Sequence, residues 1–259
     1  MRIVIACGGT GGHLFPGLAV AEALLARHHE VRLLVSEKAV DQTALRALAV
    51  TGGSALSVCS LPAVGYTGAR QAFAFGACLA RATRVCATLC REFAPDAVLG
   101  MGGFTSAPAV IAASLKRAPS LIHESNAIPG KANRWAGFLA GHIAVGLADC
   151  ARFFGRKPVT VTGTPIRSGL RRGKIADARE QLCLDRNRLT VLIVGGSQGA
   201  RAINEAVACA LPWLDGWTER IQFVHLSGAH DEEFVREAYQ TNGFTAAVMG
   251  FCNQMELAY

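Results

Sequence analysis

Two glycine-rich stretches stand at equivalent places in this 259-residue chain. Gly8-Gly9-Thr10-Gly11-Gly12-His13 follows the apolar run of residues 2–7, and Gly195-Gly196-Ser197-Gln198-Gly199 follows the apolar run Leu189–Val194. Both read Gly-Gly-(Thr/Ser)-x-Gly, and both lead into a helix-forming stretch. Between a strand and a helix, glycines bring the backbone close to a ligand and leave N–H groups aimed at an anion. The first stretch is not Gly-x-Gly-x-x-Gly, because Leu14 takes the place of the last glycine. Nor is it a P-loop, because Leu18-Ala19 stands where Lys-(Ser/Thr) is required. His13, at the helix entrance, is placed either to act as a general base near neutral pH or to cap the turn.

Other residues suit the same chemistry. His123-Glu124-Ser125-Asn126 follows a strand-forming run, at the edge where open α/β sheets bind ligands. Asn126 both donates and accepts hydrogen bonds, as sugar hydroxyls require, or it caps a loop that Pro129-Gly130 completes; Glu124 could pair with a neighbouring base. Gly163-Thr164-Pro165-Ile166-Arg167 sets an arginine just after a turn, where its guanidinium suits a phosphate, a carboxylate or solvent. No two aspartates read Asp-x-Asp and no His/Cys cluster has ligand spacing, so no metal is expected. Backbone N–H groups and arginine would then neutralise a leaving diphosphate. A rival reading takes Gly195–Gly199 as Gly-x-Ser-x-Gly, the nucleophile elbow of an α/β-hydrolase using Ser197, with Asp215 and His225 or His230 following in hydrolase order. It leaves the first glycine stretch unexplained.

The elements that must position these residues alternate. Strands are expected at residues 2–7, 31–35, 97–100, 120–123 and 142–145. Helices are expected from Pro16 or Gly17 to about Arg27, then at 70–93, 106–115 and 131–140. A second unit offers strands at 189–194, 221–226 and 246–249 and a helix at about 200–210, with residues 146–188 as the join. Such alternation predicts an α/β fold with parallel sheets covered on both faces. The repeated glycine turn predicts two similar doubly wound domains with a cleft between them, at residues 1–160 and 161–259. The second, with about three strands, reads as incomplete.

Hydrophobic residues make up 51% of the chain and charged residues 17%, enough for a sizeable core and against disorder. Mean hydropathy is +0.29, yet glycine, arginine or polar residues interrupt every apolar run before the roughly 18–20 residues of a membrane span. The short run after Met1-Arg2 does not read as a signal peptide, which places the chain in the cytoplasm. The nine cysteines include no Cys-x-x-Cys pair and read as scattered buried thiols. The net charge of +7 attracts anions. No nucleic-acid signature is present, so acidic lipid and phosphorylated substrates are the expected partners. The segment of residues 69–84 is the candidate membrane face, with Phe73, Phe75 and Leu79 beside Arg70, Arg81 and Arg84.

In order along the chain, Gly8 to His13 with Phe15-Pro16-Gly17-Leu18-Ala19-Val20-Ala21, Gly100-Met101-Gly102-Gly103-Phe104, His123 to Asn126, Gly163 to Arg167, Val194 to Arg201, and Phe251 with Met255 resemble the MurG family of glycosyltransferases. That resemblance implies the GT-B architecture, two Rossmann-like domains facing across a cleft. The N-terminal domain would take the lipid acceptor, undecaprenyl-pyrophosphoryl-muramyl-pentapeptide, and the C-terminal domain UDP-N-acetylglucosamine (UDP-GlcNAc). It implies substrate contacts at Thr10, Gly11, Gly12, Asn126, Arg167, Ser197 and the backbone of Cys252, with His13 as candidate base and no cofactor or metal. The reaction would be inverting, at the cytoplasmic face of a bacterial membrane. Ser125 and Thr164 replace the family's usual glutamine and asparagine, and the family's last segment is not in this sequence. A fragment that only binds membrane is the third reading.

Overall fold

In the computed structural model, the described residues are 1–9, 11–37, 56–62, 72–167, 170, 175–196, 199–252 and 254–259. They divide into two compact units, Met1–Arg167 and Ser168–Tyr259. The boundary falls past the expected 160/161, because residues 161–167 stay with the first sheet: Thr162 N bonds to Val145 O at 2.9 Å.

The first unit runs β1 (Arg2–Ala6), α1 (Gly11–Leu25), β2 (Glu30–Ser36), β3 (Leu56–Leu61), α2 (Ala72–Phe93), β4 (Ala97–Gly100), α3 (Gly103–Leu115), β5 (Ser120–Glu124), α4 (Lys131–Leu139), β6 (His142–Val145), a 3-10 helix (Ala148–Phe154) and β7 (Val159–Val161). Its seven strands form a parallel sheet in the order β3-β2-β1-β4-β5-β6-β7. Side chains alternate across β1. Val4 and Ala6 join a core with Cys86, Leu89 and Phe93 of α2 and Ala109 of α3, while Ile3, Ile5 and Cys7 pack against Leu14, Leu18 and Ala21 of α1. Both faces are therefore buried, which is why the strands read as unbroken apolar runs.

Strand order reverses between β1 and β4. The carboxyl ends of two strands whose following loops diverge leave a crevice there, where such sheets bind ligands. α1 starts at Gly11, five residues before the expected Pro16, and Pro16 lies inside it. α3 likewise starts at Gly103 and contains Pro108. The glycines that signalled turns are taken up in the first turns of these helices, so His13 sits in the first turn of α1.

The second unit runs α5 (Ile175–Gln181), β8 (Leu189–Val194), α6 (Arg201–Ala210), a 3-10 helix (Leu211–Trp217), β9 (Ile221–Leu226), α7 (Glu232–Thr241), β10 (Ala246–Met249) and α8 (Met255–Ala258). Three parallel strands lie in the order β10-β9-β8. One face of β9 packs Ile221 and Phe223 against Val235 and Tyr239 of α7. The other packs Val224 with Leu184 and Ala258.

Two expectations need correction. The cysteines are not uniformly buried: Cys183 and Cys209 are exposed, whereas Cys7, Cys86, Cys90 and Cys150 are buried. Burial pushes the Cys86 thiol up to about 12, with a smaller contribution from Cys90. In addition, Phe73–Phe93 is long and apolar enough to cross a membrane by length and composition, with a mean hydropathy of 1.3. The glycine and arginines inside it do not bring it below that length, contrary to the expectation that every apolar run is interrupted too soon. One side of this helix, through Ala82, Cys86 and Leu89, belongs to the core of the first unit.

Candidate functional site

Loops after β1, β4, β5 and β7 of the first sheet converge at its carboxyl edge. The turn after β1 is tied to the start of α3. Gly8 N donates to Thr105 Oγ1 at 3.0 Å, and Thr105 Oγ1 lies 3.1 Å from Gly8 O as a donor. Ser106 Oγ accepts from Gly102 N at 2.7 Å and lies 3.2 Å from Ala6 O. Thr105 and Ser106 are fully buried, so these bonds are shielded from water and fix the two glycine turns together.

His13 occupies a slot between those turns. A Cβ at Gly102 would stand 2.6 Å from His13 Cε1 and Nδ1, and one at Gly103 would stand 3.2 Å from His13 Cδ2 and 2.7 Å from Gly8 O. Gly102 has φ 111° and Gly103 φ 72°, conformations that glycine adopts freely. The Gly102-Gly103 pair thus shapes the space for the imidazole. Gly11 is buried and Gly12 exposed at the same helix start.

At the end of β5, Glu124 is 1% exposed. Its Oε1 accepts from Asn126 N at 2.9 Å and Asn126 Nδ2 at 2.8 Å. Its Oε2 accepts from Gly130 N and Asn133 Nδ2, each at 3.0 Å. Glu124 therefore binds amides, not the neighbouring base that the sequence allowed. Asn133 Nδ2 also donates to His123 O at 2.9 Å. It lies 3.2 Å from the place a Cβ at Gly102 would take, so the Glu124 network reaches the His13 slot. Both amide hydrogens of Asn133 are spent on oxygens, so its amide cannot be flipped, and its buried Oδ1 has no partner among the described residues.

His123 Nε2 lies 3.0 Å from Gly163 O. Burial holds its imidazole below the ordinary value, opposed by the bond to Gly163 and the charge of Glu124. A neutral ring donating through Nε2 ties β5 to the loop after β7. That loop brings Arg167 over the ring of Phe15 in α1, 5.5 Å from its centroid. His13, Gly11, Gly12, Asn126 and Arg167 are thus all linked to one edge of one sheet. Thr10 lies outside the described residues.

The second unit repeats the arrangement with different means. Gly199 has φ 75°, and a Cβ on it would collide with Ser227 O and stand 2.7 Å from Gly228 Cα. Asn204 of α6 donates to Ser227 O at 2.8 Å and to Asp231 Oδ2 at 2.9 Å. Its Oδ1 lies 3.0 Å from His225 Nε2, and His225 Nδ1 lies 3.1 Å from the Tyr239 hydroxyl. Ser197 lies outside the described residues. His225, one of the histidines a hydrolase would need, has both ring nitrogens engaged within this network. Cys252 packs its side chain beside Leu184 and Val224. Sequence reasoning had missed Thr105, Ser106, Asn133, Asn204 and Asp231. The available signal was a polar residue on an otherwise apolar helix face, as at Asn133 and Asn204.

A glycine turn at the switch point of a doubly wound parallel sheet, repeated in a second α/β unit, defines a Rossmann-like two-unit protein. The models of the glycosyltransferase family 28 N-terminal domain and C-terminal domain match residues 3–145 and 190–259. The chain is 36% identical, over 100% of its length and 70% of the relative's, to the UDP-N-acetylglucosamine--N-acetylmuramyl-(pentapeptide) pyrophosphoryl-undecaprenol N-acetylglucosamine transferase of Thermodesulfovibrio yellowstonii. Among solved structures it is similar to Acinetobacter baumannii MurG, with TM-score 0.68 and 29% identity over 100% of this chain and 70% of that one. A UDP-GlcNAc 2-epimerase from Neisseria meningitidis, 16% identical over 100% of this chain and 74% of its own, shares the fold with TM-score 0.69. The chain belongs to glycosyltransferase family 28, among relatives that carry the MurG transferase name. Neither the family nor the site gives any support to the hydrolase reading.

Proposed function

We propose that this chain transfers N-acetylglucosamine from UDP-GlcNAc to the lipid-linked muramyl-pentapeptide precursor of peptidoglycan, with inversion. The observation that carries the reading is the slot holding His13 beside the glycine turn after β1, in a chain 36% identical to a transferase of that name. In the step itself, a sugar hydroxyl of the acceptor gives its proton to an imidazole nitrogen of His13. The hydroxyl oxygen attacks the anomeric carbon from the side opposite the diphosphate. As that C–O bond forms, the bond to UDP breaks, and the electron pair leaves on the diphosphate oxygen.

The acceptor is assigned to the first unit, through Thr10, Gly11, Gly12 and Asn126. The donor is assigned to the second, through the turn at Ser197 and the backbone of Cys252. Arg167 supplies positive charge for a phosphate, and no metal is required because backbone N–H groups and arginine carry that charge. In the direct test, His13→Gln should lower turnover by about 10²–10⁴-fold, the usual worth of a general base, with substrate affinity little changed. Wild-type turnover should persist in excess EDTA. Unchanged turnover in the variant, or EDTA inhibition relieved by magnesium, would overturn those assignments.

We further assign the first unit to the cytoplasmic surface of an anionic membrane, where the lipid acceptor lies. α2 supports this: Phe73 is 91% exposed, and Arg81 and Arg84 are exposed on the same helix.

A further inference from the structure

We propose that Glu124 is a positioning residue that fixes the polarity of Asn126, so that the site presents an acceptor oxygen there and reads a hydroxyl or amide N–H of its ligand. The inference rests on the transferase reading of this edge and adds the chemistry of one contact. A carboxylate has about four lone-pair positions, and an ionised one only accepts. All four are taken: Asn126 N and Nδ2 lie on Oε1, and Gly130 N and Asn133 Nδ2 on Oε2. Glu124 is therefore a saturated anchor with no lone pair left for proton abstraction.

The same bonds settle Asn126. An Asn amide can usually turn by half a rotation and exchange its oxygen for its nitrogen, which lets it meet donors and acceptors alike. Here the turned amide would put Oδ1 against Oε1 of a buried carboxylate, two acceptors with no hydrogen between them, so only the Nδ2-inward arrangement survives. The 1% exposure of Glu124 keeps water from bridging the two oxygens. Asn126 itself is exposed. It offers Oδ1 on the far side of the amide from Glu124, with one N–H left over. A ligand hydroxyl or amide N–H meets that oxygen directly, whereas a bare phosphate oxygen is repelled by it and could be met only through the single remaining N–H. Discrimination of this kind is strong because a polar group without a partner loses its hydration and gains nothing.

The test uses the full 259-residue chain with UDP-GlcNAc and with a soluble short-chain muramyl-pentapeptide diphosphate as probes. Glu124→Gln, which can donate as well as accept, should raise side-chain N–H exchange of Asn126, followed by NMR, by tenfold or more. It should weaken binding of at least one probe by about three- to tenfold, the worth of one hydrogen bond. Asn126→Ala should give the same loss, and the double variant no more than either alone. Asn126→Asp changes only an exposed side chain, so it tests the idea even if Glu124→Gln does not fold. It keeps an acceptor but sets carboxylate against carboxylate, and it should bind as poorly as Asn126→Ala. Wild-type affinity in Asn126→Asp, or unchanged exchange and binding in a folded Glu124→Gln, would overturn the proposal and leave the transferase reading standing. A wild-type chain that binds neither probe would remove both.

Discussion

The tautomer of His225 follows from its neighbours. Asn204 spends both amide hydrogens on Ser227 O and Asp231, so its Oδ1 is an acceptor and His225 Nε2 must carry the proton. Nδ1 then accepts from the Tyr239 hydroxyl, whose own ionisation burial pushes upward. Burial likewise holds His225 below its ordinary value. In the unfolded chain a histidine titrates near about 6.5. Above that value both states are neutral and the network's stability is complete. As pH falls from there toward the lower folded value, the unfolded chain binds a proton that the folded one does not, and stability declines. His123 adds a loss of the same sign in the first unit. Urea midpoints should therefore be lower at pH 5.5 than at 7.5, and the His225 ring should show the neutral Nε2–H form by NMR at pH 7.5. A charged His225 at that pH would contradict the network.

At the scale of elements, glycines separate into two kinds. Gly155 has φ 62° and ψ −124°, a region that glycine alone enters freely, with nothing within 4 Å of an added Cβ, so Gly155→Ala should cost only that backbone strain, about 1–3 kcal/mol, and leave turnover alone. Gly102→Ala should cost more and also lower turnover, because its Cβ would displace the His13 ring. Denaturation midpoints and kcat measured side by side check this; equal behaviour of the two variants would mean that the slot does not matter. The strands that carry these turns were legible because burial on both faces leaves no polar interruption, as in Ile3–Ala6 of β1 and in β4. β3 was not legible: it is an edge strand in which Ser57 and Ser60 break up the apolar residues and Ser57, Val58 and Ser60 are exposed. α7 was missed because only Val235 and Tyr239 are buried among ten mostly polar residues. The site was legible where residue type alone declares chemistry, at His13, Asn126 and Arg167. It was not legible at Thr105, Asn133 and Asn204, whose roles come from partners 23 to 97 residues away or from the neighbouring strand end.

For the molecule as a whole, the net charge of +7 favours anionic surfaces, and α2 is the element that would meet one. Phe73 stands out from it, while Phe75, expected alongside, instead stacks edge-on against Phe104 at 5.6 Å. Vesicle sedimentation of the chain should rise with anionic lipid and fall with salt. It should weaken when Phe73, Arg81 and Arg84 become Ser, Glu and Glu, and equal sedimentation of that folded variant would remove α2 as the membrane face. The second unit faces a different problem. Its three-stranded sheet ends at β8 on one side, and Leu189, Val191 and Val194 of that strand are exposed. A row of strand amides flanked by apolar side chains is a template on which another copy can lay its own strand. Among the described residues, the sheet that presents the glycine turn thus also carries an edge open to pairing, and concentrated solutions of the chain should self-associate there.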